Sequence, residues 1–90
     1  MKFRKGQKVL KVPAMGALLW AYLENPGGTP RQLEVVHIDN LVRMRKQYGS
    51  EQAWPMQCAL AMGAHEVHLW PTPHRAGAIK MMYYPMPEEI

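Results

Sequence analysis

The segment Asn25-Pro26-Gly27-Gly28 constrains this sequence most, because neither a helix nor a strand continues through it. Proline lacks a backbone donor, and glycine adopts backbone conformations that other residues avoid. Apolar residues are frequent on both sides of this segment. The chain is therefore expected to reverse here, and the elements on either side pack together as two helices or as two strands.

Helical spacing favours two helices. Between residues 14 and 24 the apolar side chains recur at intervals of three and four, as on one face of a helix: Met15, Leu18, Leu19, Tyr22 and Leu23. After the break, Thr29 and Pro30 are a typical N-cap and first-turn residue, and they predict a second helix. This helix either continues to Gly49 or divides into helices at about 30–37 and 40–48, because residues 35–38 include β-branched side chains.

The C-terminal half is predicted to contain one more helix and two strands. Residues 55–63 are apolar on nearly every side, which indicates a buried helix. Residues 65–70 and 79–84 alternate between apolar and polar side chains and are predicted to form a β-hairpin. The loop of this hairpin would be residues 71–77.

The length of 90 residues fits a single domain that spans residues 1–90. Residues 7–12 alternate between polar and apolar side chains, which predicts a short edge strand whose lysines face water. Residues 1–6 and 85–90 are expected to be flexible tails.

Strands on both sides of the break are the alternative. Pro26 and Gly27 fit the central positions of a type II turn, so residues 18–23 and 32–38 would form an antiparallel hairpin. This hairpin would belong to a small SH3-like β-barrel with one added helix. Three alanines between residues 14 and 21, and the lack of strict alternation, favour the helical interpretation instead.

The helical interpretation resembles a known family. Residues 17–33, ALLWAYLENPGGTPRQL, are similar to the boundary between the first two helices of winged helix-turn-helix DNA-binding domains. Extended through residue 48 and joined to the C-terminal hairpin, the resemblance implies an α+β fold of three or four short helices followed by a hairpin. It also implies that residues 40–48 form the recognition helix and residues 71–77 the wing tip.

The charge distribution indicates an anionic partner. Lys and Arg number 11 and Asp and Glu number 7, so the net charge is 11 − 7 = +4. Three of these cations lie between Asp39 and Glu51 with no acid among them. Lysine and arginine neutralise phosphates, and Arg and Asn also contact base edges. The predicted nucleic-acid-binding residues are Arg31, Asn40, Arg43, Arg45, Lys46, Arg75 and Lys80.

The sequence contains no recognisable catalytic or metal-binding motif. Cys58 lies among apolar residues and is expected to be a buried structural thiol. His65, His68 and His74 lack the paired spacing of zinc ligands, so neither a metal nor another cofactor is expected. A single cysteine also indicates a reducing compartment and hence a cytoplasmic protein. No apolar segment approaches the roughly 18 to 20 residues of a membrane-spanning helix.

Aromatic and methionine side chains support a second class of function, because such residues are enriched at protein interfaces. The residues expected to contact a protein are Trp70, Met81, Met82, Tyr83 and Tyr84. The chain would then be a homodimer, or an inhibitor or adaptor that docks on a larger protein of the nucleic-acid machinery. In size and composition it resembles small phage-encoded proteins that block host machinery, including anti-CRISPR inhibitors.

The leading hypothesis is a regulator or accessory protein that binds DNA or RNA without catalytic activity. Under this hypothesis, the cations of the predicted helix at 40–48 and of the loop at 71–77 converge on one surface. The alternative is the protein-binding inhibitor or adaptor. Binding that weakens steeply with salt would distinguish the first hypothesis from the second.

Overall fold

The computed structural model describes residues 1–13, 15–24, 29–49, 51–61 and 65–85. These residues form nine strands and one α-helix. In chain order the elements are β1 (Lys2–Phe3), β2 (Val9–Lys11), β3 (Met15–Glu24), β4 (Arg31–Val35), α1 (Ile38–Tyr48), β5 (Gln52–Ala53), β6 (Gln57–Leu60), β7 (Glu66–Trp70), β8 (Thr72–Pro73) and β9 (Gly77–Pro85).

The strands form a sheet that nearly closes into a barrel. Seven of them follow the order β1-β9-β3-β4-β6-β7-β2. Neighbouring strands are antiparallel, except that β4 and β6 run parallel and are connected through α1 and β5. The two end strands, β1 and β2, are joined by residues 4–8 alone, so the two ends of the sheet lie close together. Strands β5 and β8 form a separate two-stranded parallel sheet.

Side chains from seven of the described strands and from Val12 fill the interior of the barrel. They are Phe3, Leu10, Val12, Ala21, Leu23, Leu33, Cys58, Val67, Leu69 and Ile79. A smaller cluster lies outside the barrel wall, where Leu41 of α1 packs with Ala59 and Trp70. The described residues include no buried charged or polar side chain, so burial of apolar surface is the main stabilising contribution.

Both ends of α1 are capped. At the start, the N–H of Asp39 donates to Nδ1 of His37 at 3.2 Å. At the end, Gly49 has φ 67° and donates its N–H to the carbonyl of Arg45. Asp39 in the first turn and Lys46 in the last turn complement the helix dipole. In the described part of the chain, no helix has the length and apolarity needed to cross a membrane.

The winged helix-turn-helix prediction is wrong, because the described residues contain one helix and a nearly closed sheet. Residues 15–24, predicted to be helical, form β3. The inward side chains Ala21 and Leu23 alternate with Trp20 and Tyr22, which are also apolar in large part. β3 therefore lacks the alternation of apolar and polar side chains that marks a strand in a sequence. Its apolar residues also recur by coincidence at intervals of three and four, and this spacing predicted a helix.

The predicted helices at 30–37 and 55–63 are also wrong. The first of these segments contains β4 and the second contains β6. Cys58 of β6 lies inside the barrel, whereas its neighbour Ala59 lies beneath α1. A strand covered on both faces is apolar throughout, and its sequence resembles that of a buried helix. Of the predicted helices, the one at 40–48 is present as part of α1.

The C-terminal hairpin is not found either. Both strands exist, as β7 and β9, but they are not neighbours. β7 pairs with β2 and β6, and β9 pairs with β1 and β3. Residues 71–77 contain β8, which pairs with β5, so this segment is not the tip of a wing.

The SH3-like alternative fits the sheet better. β3 and β4 are antiparallel neighbours, as its hairpin requires. The turn predicted at Pro26 and Gly27 lies outside the described residues, as do residues 86–90 of the predicted tail. The edge strand predicted at 7–12 contains β2, which pairs with β7 alone among the described strands. Residues 1–6, expected to be a tail, contain β1 and the buried Phe3.

Candidate nucleic-acid interface

The polar side chains predicted on α1 divide between its two faces. Arg43 and Lys46 lie on the exposed face, where they line a groove together with Asp39 and Val42. Asn40 is exposed in the first turn. These residues are accessible to a large anionic ligand.

Arg45 lies on the opposite face of α1 and is used internally. Its Nη1 atom is 3.0 Å from Nδ1 of His68. Its Nη2 atom donates to the carbonyl oxygens of Lys8 and Leu69, at 3.4 and 3.3 Å. Burial lowers the pKa of this guanidinium. Arg45 therefore fastens α1 to β7 and to the residue preceding β2, and its guanidinium is not free to contact phosphates.

The contact with Arg45 defines the tautomer of His68. A guanidinium can only donate, so Nδ1 of His68 accepts and its proton lies on Nε2. Nε2 faces Oε1 of Glu66 at 3.5 Å, and Oε2 of Glu66 accepts from Lys11 at 2.6 Å. The hydrogen bond from Lys11, with His68 nearby, lowers the pKa of Glu66. These four residues connect α1, β7 and β2.

The other predicted cations lie away from α1. Lys80 is on β9 opposite Tyr22, and Arg31 is at the start of β4 opposite Leu23. Arg75 is exposed between β8 and β9. The helix packs on β6 and β7, whereas β9 is separated from β6 by β3 and β4 in the sheet, so Lys80 and the cations of the helix occupy separate parts of the barrel exterior. The structure does not bring the predicted set together on one surface.

A different surface combines a cation with aromatic rings. Trp20 and Tyr22 alternate along β3 with Ala21 and Leu23, which are fully buried, so they project outward from the barrel. The ring centroids of Trp20 and Tyr22 are 5.0 Å apart, and their planes are inclined by 67°. Each ring therefore helps to hold the other in place.

Strand β9 extends this surface. Lys80 lies opposite Tyr22, and Met82 lies opposite Trp20. Met82 is 47% exposed and Tyr84 is 62% exposed, although both are large and mainly apolar. We call Trp20, Tyr22, Lys80, Met82 and Tyr84 the aromatic face.

The residues predicted to contact a protein are separated by the same alternation. Met82 and Tyr84 belong to the aromatic face, whereas Met81 and Tyr83 pack against the barrel core. Trp70 is only 8% exposed and packs beneath α1. Because α1 covers Trp70, this side chain is not accessible to a protein partner on the barrel exterior.

The aromatic face contains a groove of about 350 Å³, lined by Trp20, Tyr22, Glu24, Pro30 and Lys80. Aromatic walls can stack against a planar ring, and a lysine beside them can pair with a phosphate. Glu24 is the acidic member of the lining, so the groove carries one charge of each sign.

Of two exposed cations that sequence reasoning did not assign to a site, one lies beside the aromatic face. Lys2 and Arg4 flank the buried Phe3 and are exposed, so they point outward from the barrel. Lys2 lies opposite Ala78, two residues before Lys80 on β9. The acid-free N-terminal sequence was the available signal, but it did not show which strand β1 would join.

Cys58 and the histidines do not form a metal site in the part of the chain that is described. Within it, no three His, Cys, Asp or Glu side chains are placed to hold a metal ion. Burial raises the pKa of the Cys58 thiol to about 12, so the thiol is protonated at neutral pH.

The described residues define a small, nearly closed β-barrel that carries one helix and an outer face on which aromatic rings lie beside a cation. No protein-family model matches the chain, and no curated protein matches it significantly. What the barrel binds must therefore be inferred from its own residues.

Proposed function

We propose that this protein binds single-stranded nucleic acid on the aromatic face, without catalysis, as a regulator or accessory factor. The observation that carries the proposal is the pair of rings Trp20 and Tyr22 on the outside of β3, with Lys80 beside them on β9. Bases of any sequence stack on aromatic rings while cations follow the phosphates. Exposed aromatic rings on a sheet are a common platform for single strands.

Single strands fit this surface better than a duplex does. In a duplex the faces of the bases are stacked on each other, and a protein reaches only their edges and the phosphates. Trp20 and Tyr22 can stack only on bases that are already exposed. A cytoplasmic location, where thiols stay reduced, is part of the proposal because it fits the single cysteine of the sequence.

The cations near the rings set the expected salt dependence. Lys80 lies on the aromatic face, and Lys2 lies beside it on β1. Two phosphate contacts on a single strand give a slope of about −1.4 in a plot of log K against log salt. Binding should therefore weaken with salt, but part of the affinity should remain because stacking is uncharged.

The direct test is fluorescence anisotropy with a labelled oligothymidylate of about ten nucleotides, a length typical of such sites. Trp20→Ala should weaken binding by about 5- to 150-fold, the equivalent of one stacked base. Lys80→Ala should weaken binding and reduce the salt slope by about 0.7. The circular dichroism spectrum should not change, because both side chains lie outside the barrel core.

The matched control is the double variant Arg43→Ala, Lys46→Ala. It removes two exposed charges from α1, one more than Lys80→Ala, but it leaves the aromatic face intact. We expect little change in affinity. A larger loss in this control than in Trp20→Ala would move the site to the helix, and no binding by the wild-type protein at low salt would refute the proposal.

A protein partner on the same face is the second candidate function. The exposed Met82 favours it, because methionine is frequent in adaptable protein interfaces. The protein would then be an inhibitor or adaptor that docks through Met82 and Tyr84. Salt-insensitive binding to a protein, with no affinity for the oligonucleotide, would support this candidate over the first.

A further inference from the structure

Glu24 places a carboxylate beside the rings of the aromatic face. Trp20, Tyr22 and Glu24 are successive outward positions of β3, and such positions are about 7 Å apart. Glu24 is exposed and lines the same groove as both rings. A base that stacks on Tyr22 can therefore reach the carboxylate of Glu24 with its edge.

Lys80 adds a cation to the same groove at a different point. It lies opposite Tyr22 on β9, so it is the diagonal neighbour of Glu24, about 7–8 Å away between Cα atoms. Within the described part of the chain, neither Glu24 nor Lys80 takes part in an ion pair. The matching ligand combines a planar ring, N–H donors on one edge of that ring and an anionic group, as a nucleotide does.

The four DNA bases differ in what they offer to a carboxylate, which when ionised only accepts hydrogen bonds. Guanine carries two neighbouring donors on its Watson–Crick edge, N1–H and the N2 amino group, and they match the two carboxylate oxygens as the parallel donors of arginine do. Adenine and cytosine place an acceptor beside their amino group, and thymine places one on each side of its single N–H. In a single strand this edge is free to be recognised.

We propose that Glu24 makes the aromatic face selective for guanine in single-stranded nucleic acid. Guanine stacks on Tyr22 and donates from N1–H and the N2 amino group to Glu24. Its phosphate pairs with Lys80, and the neighbouring base stacks on Trp20. This inference rests on the proposed function and adds to it the base that the site prefers.

Glu34 on β4 is a second carboxylate near Trp20, but its surroundings differ. It lines a neighbouring groove of about 390 Å³ with Trp20 and Leu19, and neither Tyr22 nor Lys80 lines that groove. Its Oε2 atom already accepts from Nε2 of Gln57 at 3.5 Å. Glu24 is therefore the carboxylate placed to read a base that stacks on Tyr22, and Glu34 provides a matched control.

Fluorescence anisotropy with two labelled strands of about ten nucleotides tests the inference. In one strand thymine alternates with guanine, and in the other hypoxanthine replaces each guanine. The two purines have the same rings, but hypoxanthine lacks the amino group and hence one of the two donors. The wild-type protein should bind the guanine strand about 5- to 20-fold more tightly, within the usual range for a bidentate contact to a base.

Glu24→Gln should abolish this preference, because an amide offers one acceptor and directs its own N–H toward a donor of guanine. The same variant should bind oligothymidylate no more weakly than the wild type does, since it removes a negative charge near the phosphates. Glu34→Gln removes the same charge from β4 and should keep the preference for guanine. Both side chains are exposed, so the circular dichroism spectra should be unchanged.

Three results would overturn the inference: equal affinity of the wild type for the two strands, a preference that survives in Glu24→Gln, or a preference that is lost in Glu34→Gln instead. Guanosine monophosphate that binds as tightly as the guanine strand would also overturn it, because the ligand would then be a free nucleotide. Oligothymidylate binding without a preference for guanine contradicts this inference alone, whereas no binding of any strand contradicts the proposed function as well.

Discussion

Gly77 occupies a position where any side chain meets the barrel core. It lies opposite Phe3 in the pairing of β1 with β9. A Cβ atom at this position would be 2.7 Å from Cζ of the Phe3 ring. Because Phe3 is buried among close-packed neighbours, the ring has little room to move. Glycine is therefore required here for space rather than for a special backbone conformation.

Gly77→Ala should lower the free energy of unfolding by about 1–3 kcal/mol, the usual effect of overpacking. Urea denaturation measures the change. The control is the same substitution in a Phe3→Leu background, where the smaller side chain relieves the clash. An equal loss in both backgrounds would show that the ring of Phe3 is not the cause.

Cys58 should be inert in the folded protein. Burial raises the pKa of its thiol to about 12, so almost no thiolate is present near pH 8. A chromogenic disulfide reagent should not react in native buffer and should titrate one thiol per chain in denaturant. Rapid reaction in native buffer would contradict the burial of Cys58 inside the barrel.

At the scale of the elements, Arg45 holds α1 on the barrel. Arg45→Ala removes the contact with His68 and the two bonds to backbone carbonyls, so it should lower the free energy of unfolding by about 1–3 kcal/mol. Its neighbour Lys46 is exposed and provides the control. Lys46→Ala should change stability by less than about 0.5 kcal/mol. Equal effects in urea denaturation would contradict the anchoring role of Arg45.

The ion pair between β2 and β7 should contribute to stability in a pH-dependent way. Contact with Lys11 holds the pKa of Glu66 below its ordinary value of 4.5. The contribution is therefore complete above the ordinary value and is lost as the pH falls through the lowered one. Lys11→Met should make the fall in melting temperature on acidification shallower. Lys5→Met, a change elsewhere on the surface, should leave that profile unchanged, and an identical effect of both would refute the assignment.

The elements that could be predicted from the sequence have one face exposed to solvent and one face buried in the protein. β2 and β7 alternate between buried and more exposed side chains, and the helix at 40–48 has a single buried stripe. β3 and β6 were missed for opposite reasons. β6 is covered on both sides, and β3 exposes aromatic side chains where polar ones are usual.

The candidate site could also be predicted only in part from the sequence. Lys80, Met82 and Tyr84 were singled out from the sequence, although for different sites, whereas Trp20 and Tyr22 were hidden by the helical interpretation of β3. Arg45 was grouped with Arg43 and Lys46 as a phosphate contact. Its spacing of four residues from the buried Leu41 was a signal that Arg45 lies on the inner side of the helix.

At the scale of the whole molecule, pairs of strands distant in the sequence determine the surface. β1 and β9 come from opposite ends of the chain, yet their pairing brings Lys2 beside Ala78, near Lys80. Local patterns carry no information about such pairings, because the pairings are set by closure of the complete sheet. The aromatic face is thus a product of the tertiary fold and could not be read from any one segment.

Chemical-shift mapping of the ¹⁵N-labelled protein with a short oligothymidylate tests the central claim most directly. The sequence contains three tryptophans, and so three indole N–H signals. We expect the signal of Trp20 and the amides of β3 and β9 to shift, while that of the buried Trp70 stays in place. Shifts confined to α1 around Arg43 and Lys46, or no shifts at all, would contradict binding on the aromatic face.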